Sequence, residues 1–213
     1  MDDVTLVRRL LRVVGTTYAA QAGIRLANTP MPLFQLLVLS MLAAKPIHAD
    51  VATAAARELW AAGLRTPGAV LASERHVAID AFGRAGYARY DESSADRLVA
   101  MAARVQSEYG GDLRRLAEAA RGDVGEAARL LQEFTGIGGT GASIFLREVQ
   151  DAWPWVRPFF DDRARTAARG LGLPDGPAEL GALAPRSCAK LAAALVRVSL
   201  DDRLAERIAE RQI

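Results

Sequence analysis

The chain reads as an all-α protein. Apolar residues recur with helical spacing along almost its whole length, and no stretch alternates long enough to propose a strand. Glycine or proline punctuates the periodic segments at short intervals, which sets the helix ends.

Residues 4–27 place Val4, Val7, Leu10, Leu11, Val14 and Tyr18 on one stripe, predicting an amphipathic first helix. Asn28-Thr29-Pro30-Met31-Pro32 is expected to end it, since two prolines in three residues do not sit inside a helix. Leu33–Ala44 is apolar on nearly all sides and predicts a buried central helix. Helices are then expected over 49–62, 67–72, 75–81, 93–109, 112–120 and 123–133, punctuated by Gly63, Pro67, Gly83, Gly86, Gly110-Gly111 and Gly122. Another runs from the Thr135–Gly141 turn to Val149. Asp151–Asp161 is irregular and aromatic (DAWPWVRPFFD). The spacing predicts three closing helices over 163–171, 176–183 and 186–211, the last open to a break at Leu200-Asp201.

The weakest junctions are 28–32 and 151–160. They predict a two-lobed helical protein with a cleft between the lobes: a central domain of 30–150, and a second lobe in which 1–29 joins 151–213.

Composition excludes several classes. The 213 residues are 51% hydrophobic and 24% charged, the profile of a folded globule rather than a disordered tail. The net charge is only +2 with a pI near 9.0, so charge alone does not announce a nucleic-acid binder. Lys45 and Lys190 are the only lysines, and arginine supplies nearly all the positive charge. Cys188 is the only cysteine, which rules out disulfides and four-thiolate metal sites within one chain and suits a reducing compartment. His48 and His76 are far apart without ligand spacing, so no metal is expected. No secretory signal and no apolar run of membrane-spanning length are evident, and a cytoplasmic protein is expected.

The most informative segment is Leu130–Leu146, a helix, a turn built on Gly136-Ile137-Gly138, and a second helix with apolar Ala142, Phe145 and Leu146. Two glycines allow a tight turn and close approach to another surface. Their amides, with those of Gly139, Thr140 and Gly141 at the next helix start, form a ready anion site, while Ile137 can pin the turn to the core. Such a turn grips a phosphate without reading sequence. The plainer reading is an ordinary glycine-capped helix connection.

Leu131…Phe134-x-Gly136-Ile137-Gly138…Ala142 resembles the helix-hairpin-helix of the endonuclease III superfamily of DNA glycosylases, here spanning 126–149. Downstream, Phe160-Asp161-Asp162-Arg163-Ala164-Arg165…Leu171-Gly172-Leu173 is similar to that family's Val-Asp-Thr-His-Val-x-Arg…Leu-Gly-Leu. Aligned without gaps on Leu-Gly-Leu, Asp161 falls on the family's catalytic aspartate, with Asp162 as the alternative because the hairpin-to-aspartate spacing is slightly long. Upstream, Leu33–Ala44 is similar to the family's buried helix, and Gly83–Tyr90 to its turn before a helix starting near Ala95. The resemblance covers residues 33–173.

It implies a base-excision-repair enzyme that extrudes a damaged or mismatched base from double-stranded DNA and hydrolyses its N-glycosidic bond. Asp161 would stabilise the positive charge developing on the sugar and assist a water, although an aspartate at a helix start is equally a routine N-cap. The family's lyase lysine is replaced by Thr140, and its iron–sulfur cysteines are missing, so a monofunctional enzyme without a cluster is expected. The resemblance also suggests a monovalent cation at the hairpin. Lys45 stands in the loop from which relatives insert a side chain into the gap, and either intercalation or phosphate binding is open to it. Tyr87, Tyr90, Trp155 and Phe160 are candidate pocket residues, or packing residues. Cys188 reads as a buried small apolar residue. A nucleoid-associated monomer is expected. Two alternatives stand beside this: a catalytically silent hairpin binder of DNA, and a helical interaction domain whose Gly-Ile-Gly is only a turn.

Overall fold

The structure, a computed structural model, describes residues 2–209. It is all-helical, with no strand among the described residues. In chain order the helices are α1 (Asp3–Val14), α2 (Tyr18–Gln21), α3 (Pro30–Ala43), α4 (Ala49–Ala61), α5 (Pro67–Leu71), α6 (Arg75–Arg84) and α7 (Asp91–Tyr109). Then come α8 (Arg114–Ala120), α9 (Val124–Gln132), α10 (Gly139–Val149), α11 (Asp162–Gly170), α12 (Pro177–Leu183), α13 (Cys188–Val198) and α14 (Asp202–Ala209). Short 3-10 turns lie at Ala88–Tyr90 and Pro154–Val156. No helix among the described residues is long and apolar enough to cross a membrane.

The chain divides into two compact units, one of residues 18–146 and one of 1–17 with 147–213; Met1 and 210–213 lie outside the described residues. In the 18–146 unit α3 is the buried centre, with every residue from Pro32 to Leu42 buried. Each leucine there stabilises the fold by about 1.5–3 kcal/mol relative to an exposed one. It packs on α4, which meets α6; α7 packs on α5 and α6, and α8 on α9. In the other unit α13 is central, buried at nine of its positions, and lies against α1, α11 and α14.

Several element ends differ from the sequence expectation. The single helix expected over 4–27 is two, because Gly15 caps α1 by donating its amide to the Leu11 carbonyl. The loop that follows is held by Arg197 Nε, 3.2 Å from the Thr16 carbonyl. Residues 18–29, expected with the terminal segments, lie in the 18–146 unit, and 147–150, expected in the central domain, lie in the other. Trp60 Nε1 donates to the Ala22 carbonyl (3.1 Å), Arg57 to the Gln21 carbonyl (2.8 Å) and Gln21 to Asp50 (2.6 Å). Pro30 and Pro32 do not precede the buried helix but begin it, since amides in a first turn need no intrahelical acceptor. Gly83 sits inside α6 rather than ending it; the helix ends at Arg84, capped by Ala85, and Gly86 follows with a φ of +71° that favours glycine. The helix expected from 93 starts at Asp91. The 186–211 segment does break at Leu200-Asp201, the position the sequence left open, which gives α13 and α14; its residues 210 and 211 lie outside the described residues.

Candidate functional site

The turn between α9 and α10 is built from local rules. α9 is capped by Asp123, whose carboxylate accepts the Glu126 amide at 2.9 Å. Its C-terminal end is tied to α7 by Arg104, which donates to the carbonyl and the carboxylate of Glu133. Gly136 then takes φ +94°, and a Cβ there would meet Arg97 Cδ at 2.8 Å and Met41 Cγ at 3.3 Å. Ile137 is buried, and its branched end lies 3.3 Å from where a Gly141 side chain would start. The Gly141 position is also 3.6 Å from the Ser40 carbonyl, so the first turn of α10 sits directly on the end of α3.

Gly138, Gly139 and Thr140 are exposed, and a Cβ at Gly138 would meet nothing within 4 Å. The amides of Gly138, Gly139, Thr140 and Gly141 reach no acceptor among the described residues; the first α10 bond runs from Ala142 to the Gly138 carbonyl (2.9 Å). The outer edge of the turn therefore carries open donors at the positive end of an eleven-residue helix.

Lys45 belongs to the same unit. Its ammonium lies 5.9 Å from the centre of the Tyr90 ring, on whose face Arg89 also rests at 5.4 Å. Burial and the neighbouring Arg97 hold the Lys45 ammonium below the usual lysine value. Tyr90 is half-buried beside Tyr87, ring centres 6.1 Å apart. Tyr87 itself is 2% exposed, packs its ring at a tilt against Phe82 with centres 5.2 Å apart, and has its hydroxyl 3.3 Å from that of Ser94. It is a core residue of its unit, and burial raises its phenol pKa.

In the other unit Asp161 caps α11. One carboxylate oxygen accepts the Ala164 amide at 2.9 Å, and the other accepts Arg147 Nη1 at 2.5 Å. The pair is nearly dry, with the Arg147 side chain 5% and the Asp161 side chain 11% exposed. Glu148 is fully buried beside it, Oε1 3.8 Å from Arg147 Nε. Asp162 points into solvent and lies 3.7 Å from Arg165. Gln150, also buried, clamps the preceding loop: its side chain donates to the carbonyls of Arg147 (3.0 Å) and Phe159 (2.9 Å) and accepts the Phe159 amide (2.8 Å). Trp155 is half-buried and stacked on Trp153, ring centres 5.6 Å apart, and Phe160 is buried. Cys188 is buried with its thiol against the Ala184 carbonyl.

The structure thus groups Gly136–Gly141 with Arg97, and Lys45 with Tyr90, in one unit, and sets Asp161 on Arg147 in the other. Arg97, Arg147 and Gln150 were not singled out from the sequence. Arg147-Glu148-Gln150 interrupting an apolar helix end was a usable signal, because charged side chains that share a buried helix need partners. Nothing local marks Arg97. Comparison with protein-family models, characterised proteins and solved structures returned no match.

Proposed function

We propose that this chain binds duplex DNA through the Gly136–Gly141 turn and is a monofunctional DNA glycosylase of the helix-hairpin-helix type. The observation that carries the reading is the row of amides from Gly138 to Gly141 that reach no acceptor among the described residues, on an edge exposed at Gly138, Gly139 and Thr140 and seated on α3 and α7 at Gly136. Backbone donors at a helix start hold a phosphate in register without selecting sequence.

Asp161 supplies the carboxylate. As the base leaves, positive charge builds on the sugar, and an anionic carboxylate stabilises it while a water is deprotonated and attacks the anomeric carbon. The cap and the ion pair take one lone pair on each Asp161 oxygen, and a carboxylate has about four such acceptor positions, so capacity for a water is left. Arg147 fixes the orientation of the carboxylate. Thr140 offers no amine, so an abasic site is the product and no Schiff base forms.

The low exposure of Asp161 favours one second reading, a hairpin protein that binds DNA without cleaving it. A panel of duplexes, each carrying one lesion or mismatch, separates the two. Under the glycosylase reading strand breaks appear only after alkali, and Asp161→Asn abolishes them while binding persists. Direct nicking, or an adduct trapped by borohydride, overturns the water mechanism. Binding without release from any member leaves the silent binder.

A further inference from the structure

Eight lysines and arginines are buried or half-buried among the described residues. Six are fixed: Arg9 donates to the Arg207 carbonyl, Arg104 pairs with Glu133, Arg147 with Asp161, Arg157 with Asp151, Arg165 bonds the Asp175 carbonyl and Arg197 that of Thr16. The other two are Lys45 and Arg97, whose side chains make no hydrogen bond or ion pair among the described residues. They are also neighbours. Arg97 lies against Gly136 by its aliphatic stem, Ser94 one turn before it on α7 meets Tyr87, and Tyr87 meets the Tyr90 ring on which Lys45 rests.

Two acids close in sequence to Arg97 and to the glycine turn are ion-paired with other arginines. Asp96 is taken by Arg75 at 2.7 Å, and Glu133 by Arg104 and Arg129. Two like charges held together without a counterion repel, and burial deprives them of part of their water. Burial first, and Arg97 second, hold the Lys45 ammonium below the usual lysine value. Such a pair gains from an anion that the surrounding protein does not supply.

We propose that Lys45 and Arg97 form a second phosphate seat beside the glycine turn, which takes a backbone phosphate of the duplex next to the one held by the Gly138–Gly141 amides. This rests on the reading that the partner is DNA. It assigns Lys45 to the backbone rather than to the gap left by an extruded base, and it brings in Arg97. The Tyr90 ring holds the Lys45 ammonium and limits the conformations it loses on binding.

The test is fluorescence anisotropy with the full chain, on a labelled duplex carrying a tetrahydrofuran abasic analogue and on its undamaged counterpart, across a potassium chloride series. Lys45→Met and Arg97→Met keep the stems and remove the charge. Each is expected to lower the slope of log affinity against log salt by about 0.9, and the double variant by about 1.8, on both duplexes. Lys45→Arg and Arg97→Lys should restore the slope. Arg114→Met, which removes a cation already paired with Asp112, should leave it unchanged. Unchanged slopes in the Met variants of a protein that binds steeply overturn the seat and spare the DNA reading. An effect of Lys45→Met confined to the abasic duplex, or an equal effect of Arg114→Met, also overturns it. Failure of the wild type to bind either duplex removes the DNA reading itself. Base release, followed separately, bears on the glycosylase reading alone.

Discussion

Arg147 and Asp161 form a nearly dry ion pair, Nη1 to Oδ2 at 2.5 Å, while the second Asp161 oxygen caps α11 through the Ala164 amide. One carboxylate thus joins the end of α10 to the start of α11 within its unit. It has a structural duty whatever its chemistry, and variants must be chosen to separate the two.

Asp161→Ala removes the α11 cap and the closer of the two carboxylates beside the buried Arg147 guanidinium. Breaking a buried pair from one side costs about 3–5 kcal/mol, which urea denaturation would register. Asp161→Asn keeps a good N-cap and an acceptor for Arg147, so its loss should be clearly smaller. Equal stabilities of the two variants would show that the pair contributes little.

Gly136 and Gly138 are expected to respond in opposite ways. Gly136→Ala forces a side chain to φ +94° and against Arg97, a loss of about 1–2 kcal/mol in stability. A Cβ at Gly138 meets open space, so Gly138→Ala should stay within about 0.5 kcal/mol of wild type. Its methyl nevertheless stands on the amide edge, and DNA affinity should fall by roughly tenfold, the share of one phosphate contact. Unchanged affinity in the Gly138 variant would count against this edge as the phosphate grip.

Gln150→Leu keeps the size of the side chain and removes three bonds that hold Phe159 and the Arg147 carbonyl. Buried groups left unsatisfied cost about 1–3 kcal/mol. Since Phe159 lies two residues before Asp161, base release should drop alongside melting temperature. A variant as stable as wild type would show that the loop is held by other means.

Alkaline pH should weaken the fold. Burial raises the Cys188 thiol above its ordinary 9.0 and the Tyr87 and Tyr109 phenols above 10.0. The unfolded chain releases these protons first, so their stabilisation is complete below the ordinary values and is lost as pH rises through the folded ones. Melting temperature should begin to fall above about pH 9, where unfolded thiols ionise. Tyr87→Phe should lessen the fall at higher pH. A melting temperature flat to strong alkali would refute the assignment.

Helix identity was legible because it depends on neighbours along the chain. The apolar run that became α3, the Gly-Ile-Gly turn and the Asp161 cap all follow from periodicity, glycine freedom and short-range hydrogen bonds. The break at Gly15 was harder to read, since an apolar stripe can continue in register across a short break in the helix, whereas the break before α14 falls at Leu200-Asp201, where the sequence suggests one.

The sequence by itself determined an all-helical chain, the exposed glycine edge, and the absence of an amine at Thr140, since each depends on residue type and local spacing. Only tertiary structure decided that Asp161 is held by Arg147, that Arg97 lies under Gly136, and that Lys45 sits on Tyr90 with no ion-pair partner among the described residues. Those pairings join residues far apart in the chain or on different elements. What brings them together is the burial of apolar helix faces, which specifies no charged partner in advance.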